Sequence, residues 1–164
     1  MGNILRLAFV SFGFLGCSPV VPGTVGTLGG VLLAWLIGLY VGNFLVGVIV
    51  AAIVLYLIGR SLGNWAEEYA GKKDPGIFVV DEVIGYLITI AWVDAPSYLA
   101  LVVAFFVFRF FDILKPKLAR RMERLGGGDG IILDDVVSGF YSLGVMALLR
   151  LFLLDPSSWT MGAK

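Results

Sequence analysis

Long apolar segments alternate with short polar ones along the whole chain, and their lengths predict helices rather than strands. From Leu28 to Gly59 there is no charged residue, and Val41–Asn43 interrupts the run. Two antiparallel helices are therefore predicted, Val25–Tyr40 and Phe44–Arg60, each near the ~17–25 residues that cross a bilayer. A polar loop, Ser61–Gly76, follows. The third apolar segment, Ile77–Val93, carries Asp81 and Glu82 one turn inside its start, and the turn Asp94–Ser97 separates it from a fourth, Tyr98–Leu114. Pro116 disfavours helical geometry at Lys115 and ends that segment. A basic stretch, Lys115–Arg124, and a flexible glycine run lead to a fifth segment from near Ile131 to Leu154, with Asp134 and Asp135 about one turn inside it. Ile4–Gly16 is apolar apart from Arg6 and is loosened by Gly13 and Gly16, which suits an interfacial or re-entrant helix. The expectation is an all-α fold, a polytopic membrane helix bundle of about four to five spanning helices plus a short N-terminal interfacial helix, with residues 1–164 as a single membrane-embedded domain.

Composition strengthens the membrane reading. Apolar residues make up 59% of the chain and charged residues 15%, with a mean hydropathy of +0.96, against about 45–50% and about 25% in soluble domains. A net charge of zero offers nothing to attract nucleic acid, and no nucleic-acid partner is expected. The placement of the charges carries more information than their sum. The loops Val41–Asn43 and Asp94–Ser97 hold no Lys or Arg, whereas Arg6, Arg60, Lys72, Lys73, Lys115, Lys117, Arg120, Arg121 and Arg124 fall at the other ends of the segments. The positive-inside rule puts those ends in the cytoplasm, with Arg150 and Lys164 near the opposite interface. The same face then receives Ser18–Thr27, Asp81, Glu82, Arg109, Asp112, Asp134 and Asp135. The basic run Lys115–Arg124 would concentrate anionic lipid there.

Acids at the edge of a hydrophobic span are costly unless paired, hydrated or holding a cation. Hard cations such as Mg²⁺ take carboxylate oxygens and are commonly bound together with substrate phosphates. Asp81, Glu82, Asp112, Asp134 and Asp135 are ligands of that type. Helix N-terminal capping accounts for Asp81 and Asp134 equally well when each is taken alone, but not for Asp112, which sits at a helix C-terminus. Arg109, Asp112 and Lys115 are spaced three apart and share one side of a helix, where Arg109 and Lys115 would bind phosphate oxygens. A plain Arg109–Asp112 ion pair is compatible with that role. Ser18–Thr27, SPVVPGTVGT, opens a helix whose first amides, with Thr24 and Thr27, could assist with an anion, although a simple helix-entry turn explains it equally well. Asp81–Gly85, DEVIG, and Asp134–Gly139, DDVVSG, look alike and read as either a degenerate repeat or coincidence.

Absences narrow the chemistry. The chain has no histidine, which removes histidine nucleophiles, histidine general bases and histidine-ligated zinc. Cys17 is the single cysteine, so no internal disulfide forms, and Gly23 stands where a cysteine phosphatase would need arginine. No Asp-x-Asp pair is present for an aspartyl-phosphate enzyme of the usual kind. Carboxylate–metal chemistry survives.

SPVVPGTVGT, DEVIG, RFFDILKP at Arg109–Pro116 and GGDGIILDDVVSG at Gly127–Gly139 together resemble the phosphatidylglycerophosphatase A family in order and spacing. The resemblance implies Mg²⁺-dependent hydrolysis of phosphatidylglycerophosphate to phosphatidylglycerol in bacterial inner membranes. Two positions depart from the family pattern. Leu118 stands where a second proline of the KPxP motif is usual, and Ser138 where alanine is usual. Neither is a proposed ligand. The resulting expectation is that Asp81, Glu82, Asp134 and Asp135 act in catalysis and, with Asp112, hold one or two Mg²⁺, while Arg109, Lys115, Thr24 and Thr27 bind the phosphate. Direct attack by metal-activated water is expected in preference to a covalent aspartyl-phosphate. The competing readings are another Mg²⁺-dependent lipid-headgroup phosphotransferase, whose Asp-Gly-x2-Ala-Arg signature is absent, and a small ion-coupled transporter, whose acids belong nearer the bilayer midplane.

Overall fold

The computed structural model describes residues 2–92, 94–152 and 158–160. Seven α-helices occur among them: α1 Asn3–Val10, α2 Pro22–Tyr40, α3 Phe44–Ala70, α4 Val80–Thr89, α5 Tyr98–Leu114, α6 Lys117–Met122 and α7 Gly127–Phe152. No strand is present among the described residues, only an isolated bridge between Pro96 and Thr160. The all-α expectation holds.

Local chemistry sets most of the boundaries. Pro22 opens α2, where its missing N–H costs nothing. Asn43 caps α3 by accepting from the Val46 amide at 3.1 Å, and Ser97 caps α5 by accepting from Ala100 at 3.2 Å. Gly71 ends α3 in the left-handed region at φ 66°. Lys115 ends α5 in the same region at φ 45°, ahead of Pro116.

The expected spans need correction. Three helices, α2, α3 and α7, are long and apolar enough to cross a membrane, so the count falls below the four to five anticipated. The segment Ile77–Val93 forms only the 10-residue α4, and α5 has 17 residues. Val93, Leu154 and Lys164 lie outside the described residues. α4 is buried inside the bundle, with Val80, Val83, Tyr86 and Leu87 fully covered, which explains an apolar segment that is too short to span. By contrast α3 presents Val46, Ile49, Val50, Ile53, Val54 and Leu57 outward, a contiguous apolar face that suits hydrocarbon.

Two boundaries moved for packing reasons. α3 continues to Ala70 through most of the expected loop, because Leu62 and Ala66 repeat at helical spacing and are buried while Asn64 and Glu68 face outward. α7 begins at Gly127, so the glycine run is helical and not a flexible linker. A Cβ on Gly63 would strike the backbone of Gly128, and one on Gly128 would strike the backbone of Arg60. These glycines let α3 and α7 touch main chain to main chain.

α4 and α7 make the second close crossing. A Cβ on Gly85 would lie 2.8 Å from the Asp135 carbonyl oxygen, and one on Gly139 would lie 2.6 Å from the Gly85 carbonyl oxygen. The two similar motifs thus pack against each other. Apolar clusters flank this crossing, one including Ile37, Phe44, Tyr86, Phe108 and Met146, the other Val10, Leu62, Phe78, Ile84 and Ile132.

Candidate active site

In DEVIG the acid Asp81 precedes Gly85 by one helical turn, and in DDVVSG Asp135 precedes Gly139 by the same interval. When the glycines meet, the acids one turn earlier meet as well. Ligand oxygens of Asp81, Glu82 and Asp135 all lie within 4.8 Å of one another. Asp81 and Asp135 are buried, at 6% and 4% exposure. Glu82 shares the first turn of α4 with Asp81, and its amide donates to Asp81 Oδ1 at 3.0 Å. Helix capping accounts for neither Asp81 nor Asp134: the cap of α4 is Val79, which makes no side-chain cap bond, Asp81 lies within the first turn, and Asp134 lies two turns inside α7.

α5 brings the next two residues. Arg109 and Asp112 form the ion pair anticipated from their spacing, with side chains 17% and 13% exposed. Asp112 also lies near Asp135. α2 closes the site with its first turn. A Cβ on Gly23 would collide with Glu82 Oε1 and come within 3.2 Å of Arg109 Nη1, so glycine is needed for that approach. Val21, just before the helix, is held at φ 44°, an unusual conformation for a β-branched residue.

The expected residues divide into three groups. Asp81, Glu82 and Asp135 converge, with Arg109 and Asp112 alongside. Asp134 turns toward α5 instead, where Lys115 Nζ donates to its Oδ2 at 2.8 Å. Thr27 does not serve as expected. It is fully buried and its hydroxyl donates to the Gly23 carbonyl at 2.8 Å, leaving that proton unavailable to a phosphate. Thr24 is half-buried and its side chain makes no hydrogen bond among the described residues.

Several participants had no evident sequence signal. Asp74 and Glu123 approach Lys115 Nζ at 4.0 and 3.5 Å. Burial raises the Asp74 pKa above the usual carboxylate range; Lys115 opposes this, while Glu123 and Asp112 add to it. Burial pulls the Lys115 ammonium the other way, but the hydrogen bond and charge of Asp134, with Asp74 and Glu123, outweigh it and hold the pKa above that of ordinary lysine. Gly23 was visible only as part of a helix-entry turn. Asp129, in the glycine run, pairs with Arg60 at 2.9 Å and accepts from Tyr56 at 2.7 Å, tying α3 to α7.

Buried polar atoms without partners mark where something else must bind. Glu82 Oε2, Asp134 Oδ1 and Arg109 Nε are all enclosed and unpaired. Two orphaned carboxylate oxygens call for a cation or a proton, and the orphaned guanidinium N–H calls for an acceptor. Carboxylates at this density outnumber the cations Arg109 and Lys115, and buried acids are stable only when that excess is compensated. A hard divalent cation fits this all-oxygen donor set.

The sequence model of phosphatidylglycerophosphatase A matches residues 8–150, which span every element of this site. The chain belongs to the phosphatidylglycerophosphatase A family. Two curated members are similar along most of their length. The phosphatidylglycerophosphatase A of Haemophilus influenzae is 33% identical over 153 residues, covering 93% of this chain and 92% of its own. That of Escherichia coli is 34% identical over 149 residues, covering 89% and 83%. A Bacteroides thetaiotaomicron protein, named provisionally as a phosphatidylinositol-3-phosphatase, is 36% identical over 142 residues, covering 82% and 87%. No solved structure matches the chain. As a member of the phosphatidylglycerophosphatase A family the protein is a phosphatase, and the acidic cluster is its candidate catalytic centre.

Proposed function

We propose that this phosphatase hydrolyses phosphatidylglycerophosphate to phosphatidylglycerol and phosphate in a Mg²⁺-dependent reaction. It would act in glycerophospholipid synthesis at the cytoplasmic face of a bacterial inner membrane, with residues 1–164 forming one membrane-embedded phosphatase domain. The observation that carries the reading is the convergence of Asp81, Glu82 and Asp135 beside the Arg109 guanidinium, at one end of a bundle whose longest helices are apolar. A phosphate monoester on a lipid headgroup can reach such a site while its acyl chains stay in hydrocarbon.

Asp81, Glu82 and Asp135 would hold the Mg²⁺, with Asp112 and Asp134 adjoining. When bound, the cation supplies positive charge to the phosphoryl and leaving oxygens and makes water a better nucleophile. Arg109 binds two phosphoryl oxygens through its fork, aided by Lys115 and by the first free amides of α2 at Gly23 and Thr24. Asp134 Oδ1, which has no partner, is the free acceptor for the proton of the attacking water. Burial of the carboxylates around the reacting phosphate excludes bulk water and strengthens each charge interaction.

The test is phosphate release from phosphatidylglycerophosphate by purified protein in detergent micelles, with Mg²⁺ and then with excess chelator. Release that requires Mg²⁺ supports the reading; equal release under chelation removes the metal from it. The Bacteroides relative supplies a second substrate for the same assay, phosphatidylinositol 3-phosphate, and a preference for that lipid would replace the headgroup assignment. Trapping of labelled phosphate on the protein in a single turnover would replace direct water attack by a covalent intermediate.

A further inference from the structure

Lys115 is surrounded by acids from three separate segments. Asp134 of α7 accepts its hydrogen bond at 2.8 Å, Glu123 after α6 lies at 3.5 Å, and Asp74 of the α3–α4 loop at 4.0 Å. Asp134 is buried with its other oxygen unpaired, whereas the Asp74 and Glu123 side chains are 47% and 44% exposed. The ammonium therefore has an inner partner and two outer ones.

Backbone strain coincides with this arrangement. Asp74 and Lys115 both sit at φ 45°, and such conformations persist only where the surroundings enforce them. At Lys115 the enforcement is visible. Its carbonyl accepts from Arg120 Nε at 2.8 Å and its amide bonds Phe111 at 2.9 Å, so the side chain pivots on a fixed base. At Asp74 the loop is held by buried Pro75, by the Phe78 amide bonded to the Pro75 carbonyl at 2.8 Å, and by Val79 bonded to Val10 at 2.8 Å. Asp74 is thus presented to Lys115 by a braced loop.

In the arrangement described, Lys115 and Asp134 occupy each other. For Lys115 to bind phosphate, its ammonium has to leave Asp134 Oδ2 and move outward, while Asp134 Oδ1 is free in either position. We propose that Asp74, with Glu123, is a positioning residue that receives the Lys115 ammonium at the mouth of the site, drawing it off Asp134 and presenting it to the incoming phosphate. This rests on the assignment of Lys115 as a phosphate ligand. The two outer acids already lie within ion-pair distance of the ammonium and would keep it paired as it leaves Asp134.

The proposal predicts a sign opposite to simple electrostatics. An acid near an anion site repels the anion, so neutralising Asp74 should tighten phosphate binding if Asp74 acts only as a charge. If it positions Lys115, Asp74→Asn leaves the ammonium on Asp134 and weakens binding. Asparagine tolerates the left-handed backbone as aspartate does, so the loop is preserved. Inorganic phosphate is titrated into the full-length protein in detergent micelles and followed by calorimetry. Asp74→Asn and Glu123→Gln are each expected to weaken binding by about two- to fivefold, the range of a partly exposed ion pair. In a Lys115→Met background, Asp74→Asn is expected to have no further effect, because the group it positions is gone. Equal or tighter binding by Asp74→Asn, or losses that multiply with Lys115→Met, would overturn the proposal, as would phosphate binding that ignores Lys115→Met. Lipid turnover is measured separately. Phosphate binding that follows the predicted pattern without hydrolysis of phosphatidylglycerophosphate would sink the substrate reading alone.

Discussion

At the scale of single residues, the site is built from side chains whose charges are only partly balanced. Asp81 is enclosed beside Glu82 and Asp135, and Asp134 offers an unpaired oxygen. Asp81→Asn and Asp134→Asn each keep the shape and remove a charge, so turnover should fall by about 10²–10³-fold, the usual loss on removing a group that stabilises the reacting charge. Circular dichroism in micelles should remain that of the wild type; activity retained in both variants would remove these carboxylates from the mechanism. Asp74 makes a separate prediction in pH. Its folded pKa is raised, chiefly by partial loss of hydration at a side chain that stays about half exposed, with Glu123 and Asp112 adding to it, so the fold favours its protonated form. The associated stability is present below the ordinary carboxylate pKa and is lost as pH rises through the folded value. Asp74→Asn should therefore gain in melting temperature relative to wild type at neutral pH and lose that gain in acid. The opposite trend in paired thermal melts would contradict the raised pKa. The residue types at the site were legible in the sequence because acids and arginine are conspicuous in apolar segments. The division of Asp134 from Asp135 was not, because neighbours in a chain point in different directions on a helix and only the partner elements decide which partner each meets.

At the scale of elements, glycine contacts place the acids. Gly85 and Gly139 let α4 and α7 approach until a Cβ on Gly139 would lie 2.6 Å from the Gly85 carbonyl oxygen. Gly139→Ala should cost about 1–3 kcal/mol through overpacking and separate Asp81 from Asp135, lowering activity as well. Gly144 lies on the same helix with nothing within 4 Å of its Cβ position. Gly144→Ala should be stabilising by about 0.4–1 kcal/mol, since it reduces unfolded-state freedom without a clash. Thermal unfolding of the two variants side by side checks this; equal effects would mean that the crossing does not depend on close approach. The similarity of DEVIG and DDVVSG was visible in the chain, whereas its meaning was not. A glycine one turn after an acid becomes informative only when a second such turn packs against it. The same reason turned the glycine run at Gly127–Gly128 from an expected linker into the start of α7.

At the scale of the whole molecule, the polar site lies at one end of three helices long enough to span a bilayer, α2, α3 and α7. Cys17 is free and exposed in the segment leading to α2 and provides a natural probe of orientation. The proposed cytoplasmic placement of the site predicts that a membrane-impermeant maleimide labels Cys17 in inside-out vesicles and not in right-side-out ones; the reverse labelling would invert the topology. The apolar runs by themselves determined the helical class and the apolar outer surface, because hydropathy and length are local properties that no partner needs to complete. They also delivered the family, since four motifs in fixed order are a property of the chain alone. Tertiary structure decided which apolar segments form long helices and which is buried in the bundle, the close approach at the crossing glycines and the grouping of the acids. Burial of a short helix such as α4, and the meeting of Asp81 with Asp135, depend on which surfaces pack together, and packing arises between segments that are distant in sequence.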